Sequence, residues 1–447
     1  MSARADLLAL DEAALIMLAN RGLYKRATKD LEKGNGPKVE VKDDGTVIGH
    51  FSDVTTTMAP GVPFKHTECT CGATGSCRHR VALVLAFQAE HDEASPRARP
   101  PLDVSDEDLE ARLGSAFKAA LRTRAKGYTA TVRYDDPPVV LLPTCTVTFL
   151  VPWDLSHVRC DCEVGVDCEH VAMAVWALRQ CPNEQGEHLV SLQAHVETDR
   201  ASGVLQNLRE LADELVRGGW AGALEGIEMR VAPVVAALGK RRFVWLADLL
   251  ERLLVAMRES DEGLASADAT ECSDLLAELY MRCRAQPTPR APAGHLYGEG
   301  VAGETKLDRV VLRALGARYR VSGRIGRLSL FFREQGSRDA LVLERSWTVD
   351  EGHRPPPGPE VGRRRLLNTT VEMLSTSNVM TRGAKRRPNR VIDVSAQRLQ
   401  TSILRGSGQG LDTESDYAAL RTRLSTRVPL AMSPRVRAWR VVVLKFG

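Results

Sequence analysis

Residues 6 to 33 are helix-forming sequence with apolar positions at Leu8, Ala14, Leu15, Leu18 and Leu23 that ends near Gly34, which predicts a helix or a helical pair. The chain then alternates through KVEVKDDGTVIGHF around a DDG turn, the pattern of a β-hairpin. After a short stretch rich in Cys and His comes VALVLAFQ, apolar nearly all round, which predicts a short buried helix packed on that hairpin. A loop rich in Pro and charge, HDEASPRARPP, closes the unit near Pro101. The same order then recurs: a helical stretch at 106 to 126, strand-like TATVRY and TCTVTFLV, a second Cys/His stretch, and the apolar VAMAVWAL.

This recurrence is an internal duplication. His66 to His79 maps onto His157 to His170 at a constant offset of 91, keeping both histidines and all three cysteines, and Val84 and Ala86 continue in register onto Val175 and Ala177. Beyond the repeat, LQNLRELADELV, RRFVWLADLLERLLVAM and CSDLLAELYMRC have the periodicity of amphipathic helices and predict a small bundle. A Pro-rich linker, QPTPRAPAG, leads into strand-like runs such as LSLFF, ALVLE and RVVVLKF. The expected fold class is α+β. It comprises two helix, hairpin and metal-finger units over 1–101 and 102–200, a helical bundle over 201–286, and a mainly β region over 287–447.

Length and composition fit this plan. The chain has 447 residues, 43% apolar and 26% charged, enough for several cores and close to globular averages. The start MSARADLLALDEAALIML has acidic residues where a signal peptide would be basic, and no window reaches the roughly 18 uninterrupted apolar residues of a membrane span. A cytoplasmic protein with no membrane partner is expected. Six of the ten cysteines fall in the two short clusters, spaced for metal rather than for disulfides.

Both clusters read Cys-x-Cys-x5-Cys-x-His. A structural zinc takes four ligands in a tetrahedron. Two cysteines at i and i+2 on extended chain point to one face and close two corners together. The gaps GATGS and EVGVD each contain a glycine to turn the chain back, and a Cys-x-His pair just before a helix closes the other corners, where the helix N-terminus favours thiolate. The expected ligand sets are Cys69, Cys71, Cys77 and His79, and Cys160, Cys162, Cys168 and His170, for two structural zinc ions per chain. His66 and His157 sit three residues before the first cysteine of each set, either as competing or supporting groups or as duplicated, partly buried histidines. Cys145, Cys181, Cys272 and Cys283 are scattered and read as small buried hydrophobes.

CTCGATGSCRH and CDCEVGVDCEH resemble SWIM-type zinc fingers, whose pattern is Cys-x-Cys, a variable gap, then Cys-x-His. The resemblance implies a strand, strand, helix zinc module that contacts DNA or protein. The order of helix, hairpin, finger and bundle over roughly residues 10 to 285, including GGWAGALEG and RRFVWLADLLERL, also resembles bacterial SWIM proteins. For those the resemblance implies association with MoxR-type AAA+ ATPases and von Willebrand A-domain proteins.

Nothing in the sequence argues for catalysis. Each ligand set fills all four positions, whereas a catalytic zinc keeps one open for water. There is no phosphate loop, H-E-x-x-H helix or G-x-S-x-G elbow, and GSGQG at 406–410 reads as a surface loop. Asp43 with Asp44, and Asp135 with Asp136, read as solvated turn residues.

The net charge of +4 hides an asymmetry: residues 287–447 hold 29 Lys and Arg against 14 Asp and Glu, or +15, and residues 1–286 carry −11. A nucleic-acid surface needs clustered positive charge, so the candidates are Arg363, Arg364 and Arg365, then Lys385, Arg386, Arg387 and Arg390, with Arg435, Arg437 and Trp439 on one strand face; the alternative is a solvated Arg-rich surface. Around the first finger lie Lys65, Arg78 and Arg80, opposed by Glu68, whereas Asp161, Glu163, Asp167 and Glu169 surround the second and make it repel phosphate. The expectation is a non-catalytic adaptor acting through protein contacts, with nucleic-acid binding as the alternative.

Overall fold

The computed structural model describes residues 4–73, 75–91, 104–134, 137–181, 186–192, 202–219, 224–261, 269–288, 293–299, 303–322, 325–337, 339–348, 356–388, 390–397, 400–405, 416–418 and 421. The run RVVVLKF, the loop GSGQG, most of HDEASPRARPP, and Asp135, Asp136, Arg435, Arg437 and Trp439 lie outside the described residues.

The first unit opens with three helices, α1 (Ala5–Leu8), α2 (Glu12–Leu18) and α3 (Arg21–Glu32). The breaks come from capping. Asp11 accepts from the Ala14 N–H and Asn20 from the Leu23 N–H, so each starts a new helix where periodicity alone suggested one or two. Strands β1 (Lys38–Val41), β2 (Val47–His50), β3 (Thr55–Met58) and β4 (Glu68–Cys69) form an antiparallel sheet in that order, and α4 (Arg78–Glu90) packs over it. The DDG turn joins β1 to β2, with Gly45 at φ 80 supplying the left-handed residue.

In the second unit α5 (Asp106–Leu113) and α6 (Ser115–Lys126) replace the single helical stretch expected there. Gly114 at φ 53 separates them, and a Ser105/Asp108 capping box starts α5. The sheet runs β8 (Val158–Cys160), β7 (Thr146–Phe149), β6 (Val139–Leu141), β5 (Tyr128–Arg133), β9 (Glu187–Leu192), and α7 (Glu169–Gln180) covers it. The duplication holds to the residue at the Cys/His end: Thr56 pairs with Cys69 as Val147 pairs with Cys160, and Ile48 with Thr57 as Val139 with Thr148, each at the offset of 91. Leu150 and Val151 of the second unit complete the core of the first, which is built on Leu15, Val47, Met58, Leu83 and Phe87.

Helices α8 (Ser202–Gly218), α9 (Leu224–Lys240), α10 (Val244–Asp261) and α11 (Ala269–Arg284) form the bundle, and α12 (Ala293–Tyr297) adds Ala293, Leu296 and Tyr297 to its core, beyond residue 286. In the remaining third, β13 (Ala340–Thr348), β12 (Ile325–Glu334), β11 (Val310–Ser322), β16 (Ser377–Thr381) and β19 (Thr401–Arg405) form one antiparallel sheet in that order. β10 (Thr305–Leu307), β17 (Ala384–Arg386) and β18 (Ile392–Val394) form a second, and α13 (Gly358–Arg363), the β14 (Arg365–Leu366) and β15 (Thr369–Thr370) hairpin and α14 (Val371–Leu374) come between β13 and β16 in the chain. The fold class is α+β. Among the described residues no helix is long and apolar enough to cross a membrane.

Candidate metal centres

Each unit carries its four candidate ligands on the same three pieces. The first two cysteines flank the end of the edge strand that precedes the helix (β4 or β8), a glycine at φ 72 (Gly72) or 83 (Gly165) turns the chain, and the third cysteine caps the helix whose first turn holds the histidine. Within each set the four ligand atoms lie within 4.8 Å of one another. Nδ1 of His79 is 3.8 Å from Cys69 Sγ, and Nδ1 of His170 is 3.7 Å from Cys160 Sγ. Tetrahedral bonds of about 2.0 to 2.3 Å from imidazole and thiolate place those atoms about 3.6 Å apart, so both sets fit one ion ligated through Nδ1. These two Cys3His groups can hold a metal ion.

The surroundings favour thiolate in part of each set. Burial raises the Cys69 thiol, but hydrogen bonds from the Thr56 hydroxyl, at 3.2 Å, and the Cys71 N–H outweigh it and bring it below its ordinary value. Cys162 is depressed chiefly by its contacts with Cys160 and Cys168, and burial pushes Cys77 up to about 12. Several thiols that cannot all ionise together are the electrostatic signature of a site completed by a cation.

The flanking histidines resolve differently. His66 is exposed and belongs to neither ligand set. His157 is buried, with Nε2 2.9 Å from Asp6 Oδ2, and Asp6 is already held by Arg4 at 2.8 and 2.9 Å, so His157 joins the two units and stands outside the second Cys3His set. Of the scattered cysteines, Cys272 and Cys283 are buried in the bundle core, and Cys181 packs on the second unit's core. Cys145, read as a small buried hydrophobe, is fully buried in the second unit's core; its thiol also groups with Cys160 and Asp161, and burial pushes it up to about 11. The repeat offset aligns it with Val54 of the first unit, and pairing of the strands that carry Val147 and Cys160 was the available signal.

The charged residues singled out around the fingers are largely committed within the chain. Arg80 is buried and donates to the carbonyls of Gly75 and Thr67, bracing the first loop; Arg78 lies 3.4 Å from Asp30, and Lys65 Nζ is 3.5 Å from the Val164 carbonyl. Asp161 pairs with Arg386 at 3.2 Å, Asp167 with Arg112 at 2.8 Å, and Glu163 lies 3.9 Å from Lys306. The basic run expected to face phosphate is paired throughout. Lys385 bonds Glu304 at 2.6 Å, Arg387 bonds Asp393 at 2.8 Å, Arg390 bonds Asp339 at 2.9 Å, and Arg386 is buried. The reading of Arg386 as a surface contact is therefore corrected: alternation along β17 turns Ala384 and Arg386 inward. Arg363, Arg364 and Arg365 are exposed, with Arg364 over the Trp347 ring at 4.8 Å.

With this geometry in place, comparison with known proteins bears first on the bundle: residues 200–298 match the family described as the YehQ four-helical bundle domain. The whole chain is also similar to Protein YehQ of Escherichia coli (strain K12), at 28% identity over an alignment that covers 97% of this chain and 75% of that protein. No solved structure matches.

Proposed function

We propose that this chain is a non-catalytic adaptor held together by two structural zinc ions in SWIM-type fingers. The observation that carries the reading is the pair of closed Cys3His sets, each with four ligand atoms within 4.8 Å and no ligand position left for water or substrate. Three thiolates and an imidazole in a tetrahedral spacing suit zinc among the divalent metals. Zinc at such a site supplies folding free energy and no reaction step. Cys69, Cys71, Cys77 and His79 hold one ion, and Cys160, Cys162, Cys168 and His170 the other.

The remaining surface then serves protein contacts, in a cytoplasmic setting, with a MoxR-type AAA+ ATPase or a von Willebrand A-domain protein as the partner that the SWIM resemblance implies. Elemental analysis of the purified chain returns about two zinc ions per chain, and one or none removes the reading. Co-elution of the full chain with a MoxR-type ATPase tests the partner, and separate elution removes that partner.

Nucleic-acid binding is the second reading, and the exposed Arg363, Arg364 and Arg365 favour it. A gel shift that weakens steeply with salt and is lost on replacing those three arginines supports it; an unchanged shift removes it.

A further inference from the structure

In the second unit, the turn between Cys160 and Glu163 docks a strand. The Asp308 N–H donates to the Asp161 carbonyl at 2.9 Å, the Glu163 N–H donates to the Lys306 carbonyl at 2.9 Å, and Cys162 faces Leu307 in an antiparallel bridge. Two side chains flank this pairing: Thr144 Oγ1 lies 2.6 Å from Thr305 Oγ1, and Arg159 donates to the Arg309 carbonyl at 3.0 Å. The five residues Thr305 to Arg309 thus lie along the second turn as an added edge.

The first unit builds the same turn. The Thr70 N–H donates to the Thr55 carbonyl at 3.0 Å, as that of Asp161 does to Thr146 at 3.0 Å. The Thr70 hydroxyl accepts from the Thr55 N–H at 2.9 Å, as the Asp161 carboxylate does from Thr146 at 2.8 Å. Here, however, no strand of the described residues docks. Among the described residues nothing pairs with the Thr70 carbonyl or the Gly72 N–H, and both residues are exposed. The flanking positions change character too: Thr144 becomes Asp53 and Arg159 becomes Glu68, both exposed.

The geometry points to the first turn as a docking edge for an extended segment of a partner protein, paired antiparallel with Thr70 to Gly72 and carrying basic residues at the places Thr305 and Arg309 take on the second turn. The inference rests on the adaptor reading and names the surface through which it acts. Thr70 lacks the second carboxylate oxygen that takes Arg386 in the other unit, so this edge does not select the chain's own strand. Two backbone hydrogen bonds and two exposed ion pairs make a weak, exchangeable contact, which suits an adaptor.

The test uses the full chain and a labelled synthetic peptide copying residues 303–311 with Thr305→Arg. One peptide binds per chain, and the same peptide N-methylated at the Asp308 amide, which cannot donate to the Thr70 carbonyl, binds at least tenfold more weakly. The Asp53→Lys, Glu68→Lys protein also binds the basic peptide about tenfold more weakly, and it binds a peptide with Glu at both positions better than wild type does. That charge exchange assigns the first turn and shows that the variant is folded. Equal binding of the N-methylated peptide, or indifference to the charge exchange, overturns the inference. Metal content read on the same samples separates the two ideas: full metal with no peptide binding sinks the docking edge alone, and absent metal sinks the adaptor's zinc framework.

Discussion

The two finger units share a ligand set, a register and a turn, yet they sit in opposite surroundings. At the second centre Cys160, Cys162 and Cys168 are buried, and the C-terminal region closes over the turn through Asp308, Lys306 and Arg386. At the first, Cys69, Cys71 and His79 are half-buried, and Gly72 and Ala73 face solvent. The position before each ligating histidine differs as well. With a metal on Nδ1 the Nε2 carries the proton; Glu169, 4.0 Å from His170 Nε2, can attract it, whereas Arg78 Nε lies 3.4 Å from His79 Nε2 and cannot. Burial and Arg78 lower the basicity of His79, whereas at His170 burial is overcome by hydrogen bonds to Cys162 and Cys168 that raise it to about 10. Duplication thus supplied two identical Cys3His sets, and their neighbours made one an internal pin and the other a surface feature.

The largest test of that contrast removes one ligand from each. Cys162→Ser should leave one metal per chain and destabilise both the second unit and its joint with the C-terminal region, since metal binding at such sites is worth on the order of 10 kcal/mol. Cys71→Ser should also leave one metal yet loosen the first unit alone. Thermal melts with limited proteolysis read the difference, and equal cleavage of the C-terminal region in both variants breaks the comparison.

Next in size is the joint itself. Arg386→Met leaves the Asp161 carboxylate buried without its cation and should cost about 3–5 kcal/mol, read as a lowered denaturation midpoint. Adding Asp161→Asn should recover part of it. No recovery would place the cost in the bonds from Arg386 to Thr144 and Thr146 instead.

These two tests mark where sequence reasoning reached and where it stopped. The offset of 91, the two Cys3His groupings and the α-helical bundle were legible because each is written in local spacing. The splitting of 106–126 at Gly114 was legible in principle, from a glycine inside a helical pattern. The burial of Arg386 was not: RGAKRRPNR looks like a surface run, and its partner Asp161 lies 225 residues away, between two cysteines of the second Cys3His set. Likewise the use of His157 follows from Asp6 at the far end of the chain. Local patterns name ligands, and long-range ion pairs decide which of them become buried.

Metal release should follow the same asymmetry. A competing chelator should strip the first centre before the second, with Arg78→Glu tightening the first and Glu169→Arg loosening the second by about 10- to 100-fold, the usual size of a supporting-group change. Stoichiometric release in two phases, assigned with the two ligand variants, checks it; a single phase at equal affinity breaks it.

Acid tests the seam between the units. Burial raises the Asp6 carboxyl, but hydrogen bonds from Arg4 and His157 outweigh this and hold it well below its ordinary value of 3.8. A depressed folded value contributes stability that is fully present above the ordinary carboxylate range and is lost as the pH falls below it. Asp6→Asn should therefore be less stable than wild type at pH 6 by about 1–3 kcal/mol and show a shallower further loss below pH 4. Parallel acid curves for the two proteins would remove Asp6 from the seam.

The smallest expected effect concerns Cys145, the thiol beside the second centre whose counterpart in the first is Val54. On the proposed set of Cys160, Cys162, Cys168 and His170, Cys145 has no corner to fill, and burial, which pushes it up to about 11, keeps it a neutral thiol at physiological pH. Val is larger than Cys by about one methyl group, and it is the residue the sister unit carries at this position. Cys145→Val should retain both metals and cost no more than about 1–3 kcal/mol, the usual range for adding a methyl-sized group to a packed core. Cys145→Ser, which buries a hydroxyl where a thiol packed, should likewise keep both metals and cost far less than Cys162→Ser, which removes a ligand. If Cys145→Val instead released the second metal, Cys145 would be part of that centre, and the difference between the two units would extend from their surroundings into the ligand sets themselves.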